Sequence, residues 1–213
     1  MKKIEAMVNK AQKLFRDKLS GIEKTGGLTL ERYIRFLSMQ YHLTKDVQRH
    51  FFACAANPTM AHKKTLRKFL INFGQEEEPH YLIAAKDLEN LNANPLGSCL
   101  DVQLWWAFFN QYVSTRPFIR LGATCILENI SVGNGDIIKK LMADAKYLNP
   151  RNTRFLVIHQ HEELPHGDQI LEALSSADLS ADDHNDLEEG AKIGMTMYLR
   201  MIDWVIHGEN PVQ

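Results

Sequence analysis

The sequence predicts an all-helical protein, and three observations carry that prediction. Almost no stretch alternates apolar and polar residues with period two, apolar residues recur at steps of three and four over long segments, and the 12 glycines and 7 prolines gather between those segments. Taken in order, a first helix is expected over residues 3 to 20, where MKKIEAMVNKAQKLF is amphipathic rather than signal-like, with Gly26-Gly27 as the break. Thr29 opens the next helix, which runs to about Leu43, and Thr44 is placed to cap another that stops near Asn57-Pro58. A long helix over residues 61 to 91 closes at NANPLGS, and Leu100 to Val113 carries Trp105, Trp106, Phe108, Phe109 and Tyr112. The break at Thr115 to Pro117 opens a helix ending at SVGNGD; further helices are expected over 136 to 147, 152 to 175 and 183 to 207. With no repeat and no linker-like segment, a single domain of about eight helices over residues 1 to 213 is the economical expectation.

Composition narrows the function. A chain of 213 residues can bury a core without disulfide or metal staples. Its 25 Lys+Arg against 26 Asp+Glu include no basic run to track a phosphate backbone, so nucleic acid is not an expected partner. Cys54, Cys99 and Cys125 are odd in number and lack CxxC spacing, which fits a reducing compartment. No apolar run approaches the roughly 18 residues of a membrane span. The expectation is a cytoplasmic protein, off the membrane, acting on a small molecule. A homodimer is expected on base rates alone.

The apolar stripes carry the chemical signal. Over 61 to 91 the stripe runs Leu66, Phe69/Leu70, Phe73, Glu77, His80, Ala84, Leu88 and Leu91. Over 152 to 175 it runs Leu156, His159, Glu163, His166, Ile170 and Ala173/Leu174. After Pro117 it runs Phe118, Leu121, Cys125, Glu128 and Val132. Three helices thus aim six ionisable groups inward, on stripes that hold no Lys or Arg. An isolated buried carboxylate costs several kcal/mol. Two divalent cations would balance three carboxylates with about one positive charge to spare, and imidazole with carboxylate suits iron or manganese. Glu77 and His80 have the carboxylate–His spacing of helix-bundle di-iron sites.

Each group alone has a plainer reading. A lone ExxH is usually a solvated pair, His159 or His166 alone a satisfied core histidine, and Glu128 alone a partner for Arg116 or Arg120. The coincidence of all six with the stripes favours metal. Glu76, Glu78, His161 and Glu162 fall off the stripes and are expected in solvent or beside the ligands. A phase slip of one residue, which Pro79 and Pro165 invite, would exchange Glu77 for Glu76 or Glu163 for Glu162.

At these residues the chain resembles the heme-oxygenase-like di-iron oxidases and oxygenases, of the superfamily that also holds the TenA thiaminases, PqqC and CADD. EEEPHYLIAAKDLENL looks like that family's first ligand helix, LGATCILENI the helix with its central Glu, and FLVIHQHEELPHGDQILEAL the third, with Gly167 after the second His. Glu163 stands where the family more often has Asp. The resemblance implies a heme-oxygenase-like fold, two Fe(II) ions (or iron with manganese), O2 as co-substrate, and oxidation of an amino acid, amine or fatty acid by N-oxygenation or C–C cleavage, compatible with an external electron donor. It also implies some of Glu77, His80 and His159 toward one metal, Glu163 and His166 toward the other, and Glu128 bridging.

Other features leave alternatives open. The aromatic run from Trp105 to Tyr112 walls a cavity or packs as core, as do Tyr33, Tyr41 and His42; Gly190 and Gly194 permit close helix packing or leave room for substrate. Arg116, Arg120 and Lys86 are candidate carboxylate anchors. A cofactor-free TenA-like hydrolase would use Cys125 as nucleophile, and a non-catalytic interaction protein would keep a vestigial site. Heme oxygenase itself would want a first-helix His, whereas the first His is His42.

Overall fold

The computed structural model describes residues 1–158 and 166–208, and every regular element among them is helical. In chain order these are α1 (Lys2–Lys24), α2 (Leu30–Thr44), α3 (Gln48–Ala56), a 3-10 turn (Pro58–Met60), α4 (Lys64–Glu77), α5 (His80–Asn90), α6 (Leu100–Tyr112), α7 (Pro117–Asn129), α8 (Gly135–Asp144), α9 (Arg154–Ile158), α10 (His166–Ser175) and α11 (Ala181–His207). Among the described residues no helix is long and apolar enough to cross a membrane.

Local chemistry sets most of the boundaries. Past the end of α1, Gly26 and Gly27 take φ of 101° and 75°, a region that strains residues bearing a Cβ. Thr29 caps α2, its Oγ1 accepting from Arg32 N at 3.3 Å, and Ser180 with Asp183 forms a reciprocal capping box at α11. Thr44 departs from expectation. It ends α2 with its hydroxyl donating back to the Gln40 carbonyl at 2.8 Å, and α3 begins at Gln48 after Val47, with no side-chain cap. A threonine that satisfies its hydroxyl inside the preceding turn is not available to cap the next.

The long helix expected over 61 to 91 is interrupted. In place of the helix over 61 to 91, α4 ends at Glu77 and α5 starts at His80, because Pro79 lacks the N–H that a continuous ladder needs. Of the helix expected over 152 to 175, the described parts are α9 and α10, and residues 159–165 lie outside the described ones. The stripe after Pro117 also stops early: α7 ends at Asn129 and Val132, expected inside, is 46% exposed.

The centre of the molecule is the pair α7 and α11, which pack along each other more extensively than any other pair. A Cβ on Gly190 would lie 1.8 Å from the Ile119 carbonyl oxygen, and one on Gly122 would lie 2.1 Å from that of Leu187. Gly194 likewise meets Ala123, so Gly190 and Gly194 serve close packing. Residues Pro117 to Ile126 are buried without interruption, leaving α7 no solvent face over that length.

Candidate metal centre

Glu77, His80, Glu128 and His166 converge from four helices. His80 Nδ1 lies 2.8 Å from Glu77 Oε2, and His166 Nδ1 lies 3.0 Å from Glu77 Oε1 and 3.8 Å from Glu128 Oε2. Glu77, His80 and His166 are buried, and Glu128 is half-buried. One ligand atom from each of Glu77, Glu128 and His166 falls within 4.8 Å of the others. Donors about 2.1 Å from a shared ion lie about 3 to 4 Å apart, so these separations suit a common metal. Glu77 Oε1 is buried and makes no hydrogen bond among the described residues although His166 Nδ1 is so near, which is the condition of a donor awaiting a cation. Carboxylate and imidazole donors thus fit a metal.

The electrostatics agree. Burial by itself would raise the Glu77 carboxyl, but the His166 and His80 imidazoles more than reverse this and hold it below the ordinary carboxylate range. The His166 ring is fixed by Phe73, edge-on at 4.9 Å, and Glu76 Oε2 lies 3.4 Å from its Nε2. A ligating histidine commonly gives its second N–H to such a carboxylate.

The backbone next to the donors is equally fitted. Asn129 follows Glu128 and Gly167 follows His166; Asn129 Nδ2 donates to the Gly167 carbonyl at 3.2 Å and to the Cys125 carbonyl at 2.9 Å. A Cβ on Gly167 would lie 2.3 Å from Asn129 Oδ1, so α10 presents bare backbone to the Asn129 side chain of α7.

The buried residue at the α4 end is Glu77, while Glu76 and Glu78 are exposed. His159 and Glu163, with His161, Glu162 and Pro165, lie outside the described residues. The nearest atoms of Glu77 and His166 are 3.0 Å apart, and those of His166 and Glu128 3.8 Å.

Beside the cluster opens a cavity of about 570 Å³ whose lining includes Glu77, Glu128 and His166 with Phe15 and Leu19 of α1, Phe36 and Gln40 of α2, and Leu141 of α8. Tyr33 lines it too, its hydroxyl donating to the Asn152 carbonyl at 2.7 Å. From the aromatic run of α6, Trp105 lines the cavity; Phe109 packs against Trp105, and Trp106 donates to the His42 carbonyl at 2.9 Å. Tyr41 and His42 pack on each other at 5.0 Å. Arg116 pairs with Asp186 and Glu189 at the surface, and Lys86 with Glu89, so neither anchors a ligand here.

Arg120 is different. It lines the cavity at 2% exposure, with Nε donating to His50 Nδ1 at 3.1 Å and Nη1 to Thr124 Oγ1 at 2.6 Å. Burial, then the guanidinium, push His50 down to about 3, so it is neutral and accepts at Nδ1. The stripe reading gave no sign of this pair, because a helix buried all round has inward positions off any single stripe. Cys125 is wholly buried and its thiol is pushed up to about 12 by that burial, the opposite of what a nucleophile requires.

Fold and donor set define a class: an all-helical protein with a buried carboxylate and imidazole group that could bind a metal. Among solved structures the chain is similar to a domain of unknown function with a heme oxygenase-like fold from Shewanella denitrificans, at TM-score 0.78 and 19% identity over 96% of this chain and 89% of that one. It is also similar to a CADD-like protein of unknown function from Nostoc punctiforme, at TM-score 0.70 and 12% identity over 99% and 100%. The fold is heme oxygenase-like. No family model and no curated protein matches the sequence.

Proposed function

We propose that the protein is a non-heme di-iron oxidase or oxygenase, with manganese as the alternative metal, that uses O2 to oxidise a small molecule such as an amino acid, amine or fatty acid. The observation that carries this reading is the approach of Glu77, Glu128 and His166 to within 4.8 Å beside a substrate-sized cavity. Glu77 and His166 would hold one ion with Glu128, His80 would serve from the second oxygen of Glu77, and His159 and Glu163 complete the set on the sequence pattern alone. Bound Fe(II) would supply the one-electron chemistry toward O2 that side chains lack. The chain's own part is to keep Glu77 ionised, hold the His166 ring through Phe73 and Glu76, and exclude water from an apolar pocket. An external donor would furnish any electrons the substrate does not.

The test is iron content after anaerobic Fe(II) loading and desalting, followed by the optical spectrum on mixing with O2. About two irons per chain and a transient visible band are expected. Glu128→Ala and His159→Ala are expected to lose iron while far-UV circular dichroism stays helical. Equal iron in wild type and both variants would sink the assignment.

A further inference from the structure

The carboxylates of the cluster stand beside imidazoles, but the buried cation in the same cavity wall, Arg120, meets no carboxylate among the described residues. Arg120 gives Nε to neutral His50 and Nη1 to a hydroxyl, and among the described residues no carboxylate lies within ion-pair distance of it. Glu128 and Glu77 act on it only through space, and although burial pulls its guanidinium down to about 10 it remains charged at neutral pH. The rings of Phe51, Trp105 and Phe109 lie 5.0, 5.3 and 5.6 Å from its central carbon. Such contacts offset only part of what it costs to strip a cation of its water. Trp105 adds an unmet donor: its Nε1 is buried and has no acceptor among the described residues. Both residues line the cavity.

A buried cation that meets no carboxylate and a buried N–H that meets no acceptor among the described residues, on the wall of a largely apolar chamber, describe a receptor for an anion with an apolar body. We infer that Arg120, with Trp105, binds the carboxylate of an organic acid whose apolar part fills the cavity toward Glu128. The head group is thereby held by the protein and not by metal. The substrate class rests on the di-metal reading, under which two divalent ions against Glu77, Glu128 and, on the sequence pattern alone, Glu163 would leave about one positive charge, and Arg120 would add another for an anion to offset.

Calorimetric titration of phenylpropionate, phenylpropanol and phenylpropylamine tests this, with metal-free and anaerobically Fe(II)-loaded protein, wild type and Arg120→Gln, and iron assayed on each sample. The acid is expected to bind roughly tenfold or more tighter than the alcohol, the amine not at all, and Arg120→Gln to abolish that margin while the alcohol binds as before. A purely structural role would weaken acid and alcohol alike. Equal binding of acid and alcohol, or an acid affinity unchanged in Arg120→Gln, overturns the inference. Acid preference in a protein that retains no iron keeps the anion subsite and removes the di-metal reading; iron retained without acid preference does the reverse. If Arg120→Gln fails to fold, Arg120→Lys and Trp105→Phe carry the test, each expected to weaken the acid several-fold and spare the alcohol.

Discussion

Glu128 and Glu77 reach the same point by opposite means. Glu128 ends a helix whose backbone lies directly on α11, where Gly122 and Gly190 leave no room for a Cβ. Glu77 ends a helix that Pro79 interrupts, and its position is shared with two side chains, His80 and His166. One carboxylate sits on a helix placed by close backbone packing; the other is placed by polar contacts across a break. Substitutions behind Glu128 should therefore damage the fold, and those around Glu77 and His166 should damage the site alone.

The largest effect is expected at Gly190. Its Cβ would stand 1.8 Å from the Ile119 carbonyl oxygen, backbone that moves only if α7 moves. Gly190→Ala should destabilise by about 3 kcal/mol, lowering Tm by roughly 10 °C in a thermal melt. An unchanged Tm would show that α7 is not held by this contact, and the contrast with Glu77 would collapse.

The same contrast explains what the sequence made legible. Leu66, Leu70, Phe73, Glu77, His80, Ala84 and Leu88 are all buried despite the break at Pro79, so periodicity located both ionisable residues there. A half-exposed helix writes its inward face as a stripe. Helix α7 has no outward face over Pro117 to Ile126, so its stripe named Glu128 and passed over Arg120 and Thr124, which point inward from another side. His50 went unnoticed because its meaning depends on a residue 70 positions away. Hydroxyl direction is beyond pattern as well, hence the misplaced cap at Thr44, and the premature end of α7 left Val132 exposed.

An intermediate effect is expected at Gly167, where the two modes of placement meet. Its Cβ would lie 2.3 Å from Asn129 Oδ1, a short side chain already committed to the Cys125 and Gly167 carbonyls. Gly167→Ala should cost about 1 to 2 kcal/mol, since the better helix propensity of alanine offsets part of the clash. By pushing α10 from α7 it should also weaken metal retention roughly tenfold, read by competition with a chelator. Loss of stability with metal binding intact would mean that His166 is held from the α4 side alone.

The smallest effect is expected at Cys125, one turn before Glu128 on the locked helix. Its thiol, raised by burial from 9.0 to about 12, is protonated at pH 8, so iodoacetamide should leave it unmodified in the native protein and alkylate it in denaturant. Because the folded pKa lies above the unfolded one, the associated stability is complete below about pH 9 and is lost as pH rises toward 12; buried Cys54 adds in the same direction. Labelling of Cys125 by mass spectrometry under native conditions would show α7 opening toward solvent, and steric locking could then no longer account for the position of Glu128.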